Sequence, residues 1–154
     1  MNRTATFVVL AAMLAGCAAP KPTSVVLGER CERCKRPVDN LDLAAEQVSP
    51  NGWAAKFRTV HCMATWIGQQ AAAVPGQYFV TDVQKHKLVR AERAYFVRVL
   101  VNDRTMERDF LAFSDRAAAD KAAQTNNSAV VTWTDVLALG KSQPLAGKIG
   151  RAHV

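Results

Sequence analysis

Two stretches decide the fold: Gln77 to Val83, QYFVTDV, and Ala94 to Val101, AYFVRVLV. Both are dense in β-branched and aromatic residues and bounded by turn or polar residues, so both read as strands. Between them His86 to Arg90 supplies a short hairpin strand. Upstream, Ala54 to Val60, AAKFRTV, reads as a strand that enters a helix capped by Thr59 and running from about His61 to Ala73, where Pro75-Gly76 stops it. Downstream, Ser114 opens an alanine-rich helix that ends at Asn126-Asn127. Ala129 to Trp133 then gives a strand, and Thr134-Asp135 caps a last short helix. The order strand, helix, strand, strand, helix, strand, helix implies an α+β domain, a small antiparallel sheet with its helices on one face. An aromatic strand precedes a helix in both halves, which admits a duplicated ββα-type unit.

The chain has 154 residues, 49% hydrophobic and 21% charged, the balance of one globular domain. Lys and Arg number 20 against 13 Asp and Glu, a net +7 that a solvated surface accounts for. The start is an address. Arg3 precedes an apolar run, Ala5 to Leu14, about half of the roughly 20 residues a spanning helix needs, which makes residues 1–16 a signal peptide. Leu14-Ala15-Gly16-Cys17 has the form of a bacterial lipobox, in which the Cys17 thiol is acylated and becomes the new N-terminus. Ala18 in place of Asp favours the outer membrane over the inner. Residues 17–24 then form a lipidated tether, 25–140 the domain and 141–154 a flexible basic tail. This exported address argues against a nucleic-acid partner.

The candidate chemistry is in sulfur. Cys31-Glu32-Arg33-Cys34 is a C-x-x-C, whose two thiols converge on one ion or on each other. Covalent haem is excluded, because Lys35 stands where haem attachment needs His. His61-Cys62-Met63 at the helix start and Met106, in the loop Asn102 to Asp109, supply further soft ligands. Thiolate with thioether favours Cu(I). Zinc through Cys31, Cys34, Cys62 and His61 is the alternative, strained by its adjacent His61 and Cys62. A thiol–disulfide role, with Arg33, Lys35 and Arg36 favouring a thiolate or with Cys34 and Cys62 stapled, is another. His86 and His153 have no role, and acids such as Asp82 and Asp103 have no acid–base spacing. No G-x-S-x-G, Walker loop, H-E-x-x-H or GxGxxG occurs, so nothing points to an enzyme of those classes.

These residues in this order resemble the NosL family of nitrous oxide reductase accessory lipoproteins. The resemblance runs from the lipobox through Cys31 and Cys34, Val60-His61-Cys62-Met63, Phe79-Val80-Thr81-Asp82, AERAYFV from Ala91 and Met106 with Leu111-Ala112-Phe113-Ser114. It ends at VVTWTDVL from Val130. It implies a fold of ββα units and a lipid-anchored periplasmic Cu(I) chaperone without enzymatic activity, whose client is nitrous oxide reductase. The metal would then be held by Cys31, Cys34 and Met106, with Cys62 and Met63 as nearby sulfur. A homodimer sharing the site is compatible with this. Two departures stand out. Lys35-Arg36 replace the family's Gly-Met, and Thr105-Met106-Glu107 replace its Pro-Met-Gly.

Overall fold

The computed structural model describes residues 19–142. The expected signal peptide at residues 1–16, the expected lipidation site Cys17 and the expected tail beyond Ser142 lie outside the described residues. In chain order the elements are β1 (Ala45–Val48), β2 (Ala54–Phe57), α1 (Val60–Gly68), β3 (Gln77–Asp82) and β4 (Lys87–Arg90). They continue with β5 (Tyr95–Asn102), β6 (Glu107–Phe113), α2 (Arg116–Thr125), β7 (Val130–Val131) and α3 (Trp133–Lys141). The α+β class expected from the sequence is the one observed.

The sheet departs from the expectation in two ways. All ladders are antiparallel except one: β3 meets β6 in parallel, at the single register pair Asp82↔Ala112. The sheet is therefore mixed, two antiparallel halves joined at a seam. One half is β2-β1-β3 with β4 on the far edge of β3, and the other is β6-β5-β7. At the seam the amide of Thr81 donates to Ala44 O at 3.1 Å and that of Val83 to Ala112 O at 3.0 Å, so one edge of β3 passes from β1 to β6. Asp82, fully buried, reinforces the crossing by accepting from the amide and hydroxyl of Ser114, which follows β6.

Helices occupy both faces rather than one. Side chains alternate across a strand. On β5, Phe96 joins the cluster with α1 and α3, whereas the next residue, Val97, joins the cluster with Ala119 and Ala123 of α2. These two alanines, one turn apart, let α2 lie close on Val99 and Phe113. On the other face α1 and α3 cross at Gly140, where any Cβ would stand 2.6 Å from the Ala64 carbonyl. That close crossing fixes α1, and with it the thiol in its first turn.

Boundaries shift for local reasons. α1 stops at Gly68 rather than Ala73, because the Gln69 amide folds back on Thr65 and Trp66 carbonyls and the following loop is pinned by buried Gln47, whose Nε2 donates to Pro75 O at 2.7 Å. Asp115, not Ser114, caps α2, since Asp82 has recruited Ser114. Thr132 caps α3 with Asp135 closing a capping box, so β7 ends before Trp133. β6, read from the sequence partly as loop, is a seven-residue strand.

The N-terminal segment is tied down from Thr23 onward. Its amide and hydroxyl donate to the two carboxylate oxygens of Glu46, at 2.7 and 2.8 Å, and Lys56 completes the cluster by reaching Glu46, Thr23 Oγ1 and Ser24 O. Glu46 is fully buried, and Lys56 is its register partner across β1 and β2. Among the described residues no helix is long and apolar enough to cross a membrane.

Candidate metal centre

The C-x-x-C sits in a tight hairpin closed by pairing of Arg30 with Pro37. Cys31 N donates to Arg36 O at 2.9 Å and Lys35 N to Cys31 O at 3.0 Å, which turns both sulfurs to one side. This turn needs a left-handed residue at position 35, and Lys35 adopts φ 60°. That conformation is strained for a residue with a Cβ and free for glycine, the residue the resemblance led one to expect there. The hairpin is stitched to β2 by Glu32 N donating to Lys56 O at 2.7 Å.

The third thiol comes from α1. Thr59 caps the helix by accepting from Cys62 N at 3.1 Å, which places Cys62 in the first turn over the hairpin. The thiols of Cys31, Cys34 and Cys62 lie within 4.8 Å of one another and none is disulfide-bonded. Three thiolates sharing one ion in a plane at about 2.3 Å per bond stand ~4 Å apart, so modest closure of this triad encloses a soft metal. Cys31 and Cys62 are buried and Cys34 is half-buried, which leaves one sulfur as the entrance.

The Cys31–Cys62 contact favours a thiolate at Cys31. A hydrogen bond from the Cys62 thiol lowers the Cys31 pKa to about 4; burial opposes this, and the backbone amides of Arg58 and Cys34 add to it. Cys62 moves up in return, chiefly because its proton is held by Cys31, then because it is buried. The two shifts describe one proton shared by two sulfurs. Beside them, buried Asp109 accepts from His61 N at 3.0 Å and Phe110 N at 2.8 Å and fastens the start of α1 to β6.

The remaining sequence candidates are placed as follows. His61 stands outside the triad, its Nε2 3.4 Å from Thr65 Oγ1, and burial lowers its pKa. Met63 is completely buried in the core cluster that also contains Cys31 and Cys62. Met106 is 63% exposed at the tip of the β5–β6 hairpin, at φ 55°. The next residue, Glu107, meets Arg36 at 3.8 Å and Arg58 at 3.4 Å, so the turn end of the hairpin is docked beside the cysteine loop. Asp109 went unnoticed in the sequence because it sits in a charged run, Glu107-Arg108-Asp109, with nothing local to mark one of the three as buried.

The NosL family model matches residues 22–138. The chain belongs to the NosL family. Among solved structures, the crystal structure of the copper chaperone NosL from Shewanella denitrificans superposes with a TM-score of 0.62 at 12% identity. The match covers 75% of this chain and 94% of that one. Among curated proteins no relative matches this sequence. The family match ends close to Leu139, so nearly all of the described residues are the NosL domain, and the thiol triad lies inside it.

Proposed function

We propose that this NosL-family chain is a Cu(I) carrier that takes the ion on Cys31, Cys34 and Cys62 and passes it to a copper enzyme. The observation that carries the reading is the convergence of three thiols from two separate segments into one triad. Only soft ligands are present there, and soft ligands favour Cu(I). The likeness to a copper chaperone of the same family supports it. The copper is cargo, and the site suits cargo. Cys31, held toward its thiolate form by the Cys62 thiol, is the sulfur that captures the ion first. Buried Cys62 completes the set by giving up its proton, and half-buried Cys34 is where an incoming ligand displaces the first bond.

The finer assignment follows the sequence. Acylation of Cys17 holds the chain on the periplasmic side of a bacterial membrane, the outer one by its Ala18, and the client by family resemblance is nitrous oxide reductase. Met106, at the hairpin tip beside the cysteine loop, is the thioether that joins the thiols during loading or release.

Anaerobic Cu(I) titration of the reduced chain against a competing chelator, with X-ray absorption on the loaded form, tests the reading. One tightly held copper with sulfur neighbours at about 2.3 Å is expected. Failure to compete, or preferential retention of zinc in a mixed-metal competition, would overturn it. A Cys31–Cys34 disulfide that cycles under mild reductant would move the function to thiol exchange.

A further inference from the structure

Around the thiol site three glutamates are already engaged, whereas Asp103, on the hairpin turn, has no ion-pair partner among the described residues. Glu32 pairs with Lys35 at 3.2 Å, Glu107 with Arg36 and Arg58, and Glu29 accepts from Val26 N at 2.7 Å. Six of the described arginines make no ion pair, and three of these, Arg33, Arg98 and Arg108, concern the site. Arg33 lies between the two cysteines of the hairpin, and its Nε is buried without a hydrogen bond. Arg98 and Arg108 lie on the β5–β6 hairpin, where their position follows from register. Phe96 and Ala112 form one cross-strand pair and Arg98 and Phe110 the next. Phe96, Phe110 and Ala112 all face the α1 and α3 core. Arg98 and Arg108, each two residues from a core member of its own strand, share that face.

Asp109 meets α1 at its first turn, so the part of the hairpin beyond Asp109 emerges past the end of the helix on the side of the site. There the hairpin presents Arg108 and its register partner Leu100, the latter 42% exposed, while Arg98 sits just before Asp109, opposite Phe110. Arg98 stands opposite Phe110, the residue after the Asp109 that holds the first turn of α1, and Arg33 lies between Cys31 and Cys34, so both belong to the segments that bring the thiols together.

Resting on the copper-carrier reading, we infer that Arg33, Arg98 and Arg108 form a docking collar for an acidic protein surface that carries the thiolates exchanging copper with Cys34. The ligands that take Cu(I) from this site are anions, and a cationic entrance gathers an anionic partner and orients it. Steering of this kind raises association rates by 10–10³-fold at low salt and is screened within roughly 10 Å at 0.1 M salt. Leu100, among the arginines, supplies the apolar contact that a purely ionic encounter lacks.

The probe is a pair of synthetic Cys-x-x-Cys peptides, one flanked by glutamates and the other by glutamines, mixed with the full chain in an uncharged detergent. Two readouts are taken: anisotropy of the thiol-blocked labelled peptides without copper, and the rate of Cu(I) transfer to the free-thiol peptides. The acidic peptide should bind measurably and take copper about 10-fold faster or more at low salt, with both advantages gone near 1 M salt. R33Q/R98Q/R108Q should hold copper as before and lose the preference, whereas the triple lysine variant, which keeps the charge and controls for folding, should retain it. Equal behaviour of the two peptides, or a preference that survives in the glutamine variant, would overturn the inference. So would anisotropy showing no peptide preference alongside arginine-dependent binding to phosphatidylglycerol vesicles, which would assign the collar to lipid. The copper-free arm stands apart from the copper reading, which fails only if the chelator titration fails.

Discussion

The two halves of the sheet are built by different means. The half made of β6, β5 and β7 is local: one long hairpin with a two-turn alanine face on α2 laid against it. The half made of β2, β1, β3 and β4 is assembled from distant segments, with Thr23 clasped by Glu46 and the cysteine hairpin stitched to β2. All three thiols belong to this second half. The local half contributes the β6 anchor for α1, through Asp109, and the arginines beside the entrance. Between the halves runs a single parallel register pair, so side chains do what a ladder does elsewhere. The lesson is that the thiol triad is positioned across a seam, and its geometry depends on two buried aspartates as much as on the cysteines.

Cutting the seam should have the largest effect. Asp82 accepts from the amides of Gln84, Lys85 and Ser114 and from the Ser114 hydroxyl. Asp82→Ala strands three amides at once, at roughly 1.5–3 kcal/mol for each bond to a charged acceptor, and should cost at least about 3 kcal/mol in urea unfolding. If the halves are independent, unfolding of the variant should split into two transitions; a single transition shifted by less than 1 kcal/mol would show that the ladder alone suffices.

Removing a proposed copper ligand should spare the fold and abolish copper binding. Cys31→Ser is expected to lower Cu(I) affinity more than about a hundredfold, beyond what loss of a supporting partner costs a metal site. Its urea midpoint should move little, since no disulfide is lost. Unchanged affinity in a competition titration would place the metal elsewhere.

The aspartates respond oppositely to pH. Burial pushes the Asp82 carboxyl up, but the Ser114 hydroxyl and the surrounding amides outweigh it and hold the group below its usual range. Its contribution is present above the unfolded value of about 3.9 and is lost as pH falls through the folded one. For Asp109 burial prevails and the folded pKa is raised, so its contribution is present below about 3.9 and declines as pH rises through the folded value. Asp109→Asn, which keeps an acceptor for His61 and Phe110, should change stability by less than about 1 kcal/mol at pH 7 and should flatten the decline above pH 4. Thermal melts from pH 3 to 8 check both slopes. The same slope in variant and wild type would assign that decline to another group.

The smallest change is at position 35. Lys35→Gly relieves a left-handed residue, a gain of about 1–2 kcal/mol offset by about 0.5–1 in chain entropy, so a net stabilisation of about 0–1.5 kcal/mol, centred below about 1, is expected in urea unfolding. A loss instead would mean that the Lys35–Glu32 pair holds the hairpin closed.

What the sequence revealed follows the same division. Cys31, Cys34 and Cys62 were legible because their signals are local: a two-residue spacing, and a thiol just after a capping threonine. The strands 77–82 and 95–102 were legible from composition. β6 was not, because its first three residues are charged for three unrelated reasons: Glu107 pairs with arginines, Arg108 emerges past α1, and Asp109 is a buried acceptor. Nor was the side of the sheet taken by α2, since an alanine face says that a helix packs closely without saying where. The parallel contact of β3 with β6 joins residues 30 positions apart, beyond any local pattern.

The clasp on Thr23 has a consequence for transport. On the proposed acyl anchor at Cys17, only the five residues 18–22 separate the lipid-bearing cysteine from Thr23, where the domain takes hold, a reach of roughly 20 Å at full extension. A cargo site on so short a leash searches a thin layer beside the bilayer instead of the whole compartment. Its encounters with partners held at the same surface then follow an effective concentration set by leash length rather than by how many copies the cell makes.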